Sequence, residues 1–431
     1  MSTTAAPAAS LDAARRRAHW TLTAGVALGS TGHIAAVTVA TIVAKDLLGS
    51  DTLAGLPGAT VVLGAALGSV LLSTLMAKRG RRLGLTLGYS IGVLGALLAT
   101  LAVIVRSFPL LLAGTLLIGF GNTSNQLSRY TNADMVPLAK RASAISLVVW
   151  ASTVGSVIGP QMVPFASGIA ASVGLPPLAG PYLVPVLFVG LAAVLSFVFL
   201  RPDPYELADR EAIDLAAAAP RSTDPIRVIL RRPAVSAAIV ALIVGQFVMT
   251  LVMTMTPLHM SEHGSDLGAV GLVLSGHTFG MFALSPISGR LTDRFGPVPV
   301  IFAGTVVLAA SSLMAAMAPA DGGGMLFLAL FLLGYGWNLG FVAGSTLLSG
   351  SLEIHERTRV QGAADAMIWS SAAAASLGSG FVMVIVGYTA LGILGASAVL
   401  IPVALLLRQR RVAAKVARAA AIEAPVELPA A

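Results

Sequence analysis

Two pairs of sulfur and imidazole side chains stand out in an otherwise aliphatic chain. Met249 and Met253 are four residues apart, and so are His277 and Met281; residues at i and i+4 share one face of a helix. Each pair lies in its own apolar run, near 233–256 and 267–291. If the first run ends near Pro257, Met249 lies about 12 Å inside it and His277 about 16 Å inside the second, at the helical rise. Consecutive runs are antiparallel and meet at one face of the membrane, so three thioethers and one imidazole fall at similar depth from it, as in a descending ladder. Such a ligand set is soft, and soft thioethers select Cu(I). His259, Met260 and His263, between the runs, would form an outer capture point. The same residues also fit plain packing. Methionine is a common filler of apolar helix interfaces, and an intramembrane histidine can donate to a carbonyl across a bundle.

A second cluster lies near 109–133, with Asn122, Asn125, Gln126, Arg129, Tyr130 and Asp134. Spacings of four and three put Asn122, Gln126 and Arg129 on one helix face, with Asn125 offset from it. That face could bind a polar solute; hydrogen bonding between helices is the competing use. Arg129 and Asp365 fall near corresponding ends of apolar runs in opposite halves of the chain, which suits an ion pair that latches a gate. His33, in the first apolar run, suits a substrate cavity, either as a proton-responsive group or as a further copper stop. Packing would explain it as well.

These groups must be held by elements that cross a bilayer. Of the 431 residues, 56% are hydrophobic and only 11% charged, against about 25% charged in soluble globular proteins. Apolar runs fall near 19–44, 53–77, 83–105, 109–133, 143–168 and 181–200, then near 233–256, 267–291, 298–319, 324–350, 360–386 and 388–408. Most reach the roughly 20 residues that a membrane helix needs. The reading is an all-α membrane protein with twelve transmembrane helices in two pseudo-symmetric six-helix halves, 19–200 and 233–411. Residues 1–18 would be a cytoplasmic segment, 201–232 a cytoplasmic linker rich in acid and proline, and 412–431 a disordered cytoplasmic tail.

The net charge of +8 is distributed by topology. Arg15–Arg17, Lys78–Arg82, Lys140–Arg141, Arg227–Arg232 and Arg408–Arg411 fall in alternate connections, Lys45 and Arg106 being the main exceptions. By the positive-inside rule both termini are cytoplasmic, in a multi-pass protein of the cytoplasmic (inner) membrane. That distribution argues against nucleic acid as a partner and leaves the lipid bilayer. The absence of cysteine excludes disulfides and thiolate metal sites. No phosphate-binding glycine loop and no catalytic constellation appears, so neither ATP-driven transport nor an enzyme is expected.

The halves repeat each other. Gly119-Phe120-Gly121 matches Gly334-Tyr335-Gly336, Trp150 and Gly159 match Trp369 and Gly378, and Gly80 matches Gly296. Offsets near 215–219 keep these pairs collinear, the mark of a parallel repeat whose solute site lies between halves. Gly289-Arg290-Leu291-Thr292-Asp293-Arg294-Phe295-Gly296 resembles the signature loop of the major facilitator superfamily. The resemblance gives gating roles to Gly289, Asp293, Arg294 and Gly296. The first-half copy keeps Lys78, Gly80, Arg81 and Arg82 but has Ser73 and Ala77 where glycine and aspartate are expected. The two Met/His spacings resemble those of the CcoA-like copper transporters within that superfamily, although those transporters also employ cysteine.

The resemblance implies alternating access in two rocking halves. The expected function is copper uptake, with Cu(I) as cargo, no permanently bound cofactor, and protons as a candidate coupling ion. The alternative is a transporter of a small organic solute or drug, riboflavin-like or in exchange for protons, using the polar face of the fourth span. Gly155-Ser-Val-Ile-Gly-Pro160 is similar to part of the antiporter motif of drug/proton exchangers, but Thr115 stands where their fourth-span arginine falls. A monomer is expected.

Overall fold

The computed structural model describes residues 8–49, 53, 55–207, 224–265, 267–319 and 323–408. The described residues form helices and their connections, with no strand among them. Lipid offers no hydrogen-bond partners, so a spanning segment must satisfy its own backbone, and a helix does so within one segment. The expected tail, 412–431, and residues 208–223 of the linker lie outside the described residues.

The six spans of the first half are Ala8–Leu48, Leu56–Arg79, Arg81–Ile104, Phe108–Asp134, Arg141–Ser172 and Gly180–Phe199. In the second half the seventh span is Pro233–Glu262, the ninth Pro297–Met317, the tenth Gly324–Gly350 and the eleventh Ile354–Val386. The eighth is two helices, Leu267–Phe282 and Ser285–Phe295. The twelfth runs from Tyr388 to Arg408, with a turn at Val399.

Among the described residues, eleven of these spans are long and apolar enough to cross a membrane. The fourth is as long, at 27 residues, but its second half, from Asn122 to Asp134, is polar. Except for half-buried Gln126, those residues are buried against neighbouring helices. The first helix begins about ten residues before its apolar run. Arg15 Nε donates to the Leu207 carbonyl at 3.0 Å and Arg17 bonds the carbonyl of Arg201, so this extension docks on the stretch after the sixth span.

The break in the eighth span has a local cause. Pro286 has no N–H, and its ring would strike the carbonyl four residues back, at Phe282, where the first helix stops. Asn338 of the tenth span stitches the gap. Its Nδ2 donates to the Met281 carbonyl at 2.7 Å and to Ser285 Oγ at 2.6 Å, while Oδ1 accepts from Ser288 Oγ at 2.6 Å. Pro402 would act likewise on the carbonyl of Ala398, where the first segment of the twelfth span ends.

Packing repeats between halves. The first span packs on the fifth and sixth, and the fourth on the second and third; the seventh packs on the eleventh and twelfth, and the tenth on the eighth and ninth. Across the halves, the second span meets the eleventh and the fifth meets the broken eighth.

Candidate functional site

The site is a cavity of about 270 Å³ between the two halves. The first, fourth and fifth spans contribute Ser30, His33, Asn122, Asn125, Gln126, Arg129 and Ser152; the second half contributes Gln246, Met249, Met281, Phe282, Trp337, Phe341, Asp365 and Trp369. One wall is therefore largely polar and the facing one largely aromatic.

Both walls are held from behind. Trp337 stacks on Phe341, with ring centroids 4.5 Å apart and planes 18° apart, and meets Phe282 edge-on at 6.0 Å. Trp337 Nε1 donates to Gln246 Oε1 at 3.0 Å, and Gln246 Nε2 to Thr250 Oγ at 3.2 Å. Opposite them, Tyr89 Oη donates to Asn125 Oδ1 at 2.9 Å, and Asn125 Nδ2 to Asn122 Oδ1 at 2.9 Å. Asn125, expected off the polar face, thus reaches the cavity as part of this chain. His33 also lines the cavity, and its Nδ1 is buried without a hydrogen-bond partner among the described residues.

Arg129 and Asp365 form the floor. Arg129 Nη2 lies 2.5 Å from Asp365 Oδ1, and both side chains are 2% exposed. The guanidinium also donates to the Gln126 carbonyl at 2.7 Å, to Gln126 Oε1 at 3.0 Å, to Tyr130 Oη at 3.1 Å and to Ser345 Oγ at 3.3 Å. Its charge sits 4.3 Å from the Tyr130 ring centre and 4.4 Å from that of Phe341. A buried cation needs a partner of this kind, because desolvation costs several kcal/mol per ion.

Below the floor, polar contacts join the halves on the side that carries the basic loops. Asp293 accepts from the backbone N–H groups of Ala142 at 3.1 Å and Ser143 at 3.0 Å, and from Ser143 Oγ. Gly289 lies so close to Ser146 that an added Cβ would collide with its Oγ. Arg81 Nη2 bonds Asp134 at 2.6 Å and Gln361 Oε1 at 2.9 Å, and Arg357 reaches the other Asp134 oxygen at 3.3 Å. Of the remaining gate residues, Arg294 is exposed, with its guanidinium 5.2 Å from the Phe295 ring centre. Gly296 ends the eighth span at φ +83°, a conformation that favours glycine.

The four residues of the sulfur–imidazole set do not converge. Met249 and Met281 line the cavity. Met253 is half-buried and packs against the same hydrophobic core, but is not among the residues that line the cavity. His277 is fully buried, and its Nδ1 donates to the Leu330 carbonyl of the tenth span at 2.8 Å. The reason is local. The first helix of the eighth span packs backbone to backbone on the tenth, with Gly280 against the Phe331 carbonyl and Gly334 against that of His277. Of the outer group, Met260 is fully buried, whereas His259 and His263 lie with ring centroids 4.5 Å apart.

Gln246, Phe282, Trp337 and Phe341 are cavity residues that the sequence reading missed. Gln246 carried a usable signal, as a lone amide inside an apolar run. The aromatic residues carried none, because an aromatic side chain in a membrane helix is as well suited to lipid as to a cavity.

A cavity between two repeated six-helix halves is where membrane transporters built from such repeats hold their solute. A profile of the Major Facilitator Superfamily matches residues 20–268 and 238–429, and the chain belongs to that superfamily. It is similar to the uncharacterized MFS-type transporter YddS of Bacillus subtilis (strain 168), 37% identical over 87% of each chain. It is 29% identical to the riboflavin transporter RfnT of Brucella anthropi, over 93% of this chain and 98% of that one. Among solved structures, the human organic anion transporter MFSD10 superposes with a TM-score of 0.73 at 16% identity, covering 91% of this chain and 99% of that one. This likeness shows the shared fold.

Proposed function

We propose that the chain carries a small planar heteroaromatic solute, riboflavin-like in its chemistry, across the cytoplasmic membrane by alternating access. The observation that carries this reading is the two-sided cavity. Trp337 and Phe341 offer a rigid stacked surface, and the amides of Asn122, Asn125, Gln126 and Gln246 offer donors and acceptors. A flat ring system with polar edges suits such a pair of walls, since ligand sites are mostly apolar with a few placed polar groups. The relative named as a riboflavin transporter supports the same solute class.

In this reading the basic face is cytoplasmic, so both termini lie there. The Arg129–Asp365 pair and the contacts beneath it latch the cytoplasmic gate, and the cavity is ready to receive solute from outside. Rocking the halves would break this latch and join the outer ends.

Copper is the second reading, favoured by Met249 and Met281 on the cavity wall. Two thioethers fall short of the expected set, because His277 does not line the cavity; its Nδ1 donates to the Leu330 carbonyl and its Nε2 is buried without a partner among the described residues. Copper accumulation that vanishes in Met249→Leu/Met281→Leu, while riboflavin binding persists, would restore this reading.

The binding test uses purified protein and riboflavin, read by quenching of flavin or tryptophan fluorescence. Saturable binding is expected, weakened about tenfold or more in Trp337→Ala, the loss of about 1–3 kcal/mol of aromatic stacking. Quenching that does not saturate, or that is unchanged in Trp337→Ala, would overturn the assignment.

A further inference from the structure

The outer end of the seventh span carries a feature that solute transport does not use. His259 and His263 stand one helical turn apart, on the side opposite the basic loops, and neither lines the central cavity. Their ring centroids are 4.5 Å apart and their planes 55° apart. With metal–nitrogen bonds of about 2.0–2.1 Å, two imidazoles in neighbouring coordination positions bring their ring centres to roughly this separation.

The rings are also oriented. His263 Nδ1 lies 2.8 Å from the His259 carbonyl oxygen. A carbonyl can only accept, so Nδ1 carries the proton and Nε2 keeps its lone pair. Metal-ligating histidines show this arrangement, with the second nitrogen donating to a backbone carbonyl. His259 lies flat on Tyr388, with centroids 4.2 Å apart and planes 5° apart, and Tyr388 Oη is in turn 2.8 Å from Thr256 Oγ. His263 is exposed and His259 half-buried, so an ion could approach from outside.

We propose that His259 and His263 form an outer-surface site for a borderline divalent transition-metal ion, such as Zn²⁺. The donor set decides the class of ion. Met260 is fully buried and supplies no sulfur, which leaves two imidazoles, with water to complete the shell. Imidazole with oxygen suits zinc, divalent copper or nickel rather than Cu(I). The ion would fix the end of the seventh span against the start of the twelfth, through the ring stack on Tyr388. It would sit wholly on the second half, apart from the cavity, and would not be cargo.

A second histidine-containing cluster serves as the internal control. Glu353, His355 and Glu356 have ligand atoms within 4.8 Å of one another. There, however, Glu356 already holds Arg232 through both oxygens at 2.9 Å, which leaves it poorly placed to accept a metal.

The test titrates Zn²⁺ into the purified full-length protein, with any affinity tag removed, by calorimetry. About one ion per chain is expected. His263→Ala, an exposed change that spares the fold, should weaken binding tenfold or more, and His259→Ala should do the same. Met260→Leu and His355→Ala should leave it unchanged. With Cu²⁺ as the probe, electron paramagnetic resonance should report two nitrogen ligands in the wild type and one in His263→Ala. Absence of wild-type binding, binding indifferent to His263→Ala, or loss in His355→Ala instead would overturn the proposal.

Discussion

The two corners where the halves meet on the basic face solve one problem in different ways. Where the fifth span meets the eighth, an acid crosses between halves: Asp293 caps the backbone at Ala142 and Ser143, and Gly289 lets the helices close on Ser146. Where the second span meets the eleventh, the equivalent acid is Ala77, and no charge crosses from that position. The N-terminus of the eleventh span is capped from within its own half, by Glu353 and Glu356 in a reciprocal capping box. Arg232 grips Glu356, and Asp224 in turn pairs with Arg232 at 3.1 Å. Closure at this corner rests on Gly362 against Ser69 and Ser73, and on Arg81 and Arg357 sharing Asp134. The first half has its own acid elsewhere: Asp203, beyond the sixth span, accepts from the N–H groups of Arg81 at 3.1 Å and Arg82 at 2.9 Å. A repeated fold can thus keep its contacts while moving the residues that make them. It follows that Asp293 acts between the halves, whereas the capping acids of the other corner act within one.

The sharpest way to break this comparison is to remove the pair between the corners. Arg129→Ala or Asp365→Ala strands a buried charge and should cost about 3–5 kcal/mol. Thermal unfolding in detergent would show it, and Arg129→Leu/Asp365→Leu should be less damaging than either single change. Gly362→Val should come next, at about 1–3 kcal/mol of overpacking, since even its Cβ would collide with Ser73. It should also prise open the basic face. The chain has no native cysteine, so spin labels at Leu138→Cys and Ser351→Cys would report that opening as a longer distance. Asp293→Ala should cost about 0.5–2 kcal/mol, the worth of a helix cap, and should lengthen the same distance. Glu353→Ala should cost a similar amount without changing it; equal lengthening in both would erase the distinction drawn between the corners. The smallest effect is expected from Ala77→Asp. Restoring the acid at this exposed position should change stability by less than about 0.5 kcal/mol, because the helix end it would serve is already capped.

Much of the architecture is legible in the residues alone. Apolar length, the alternation of basic loops and the collinear glycine and tryptophan matches require two six-helix halves. The contact between Arg129 and Asp365 is legible too, since both fall at the same end of spans in opposite halves and a lone buried charge is untenable. The convergence of Met249, Met253, His277 and Met281 is not, because spacing gives a shared face but not its direction. Pro286 marks the place where the eighth span breaks, yet only the position of Asn338 shows how the break is held. The aromatic wall was hidden for a further reason: Trp337 and Phe341 become a surface only through their contacts with Gln246, Phe282 and Arg129. Ala77 is the reverse case, a visible departure whose consequence depends on Asp203, Glu353 and Glu356, far away in sequence.

Passage of a flat, polar-edged solute through the cavity above Arg129 and Asp365 is the step on which the proposed transport depends. Its most direct test is counterflow of radiolabelled riboflavin into proteoliposomes preloaded with unlabelled riboflavin. Transient accumulation is expected in the wild type and should be lost in both Trp337→Ala and Asp365→Ala. Counterflow that is absent from the wild type, or that persists undiminished in both variants, would contradict it.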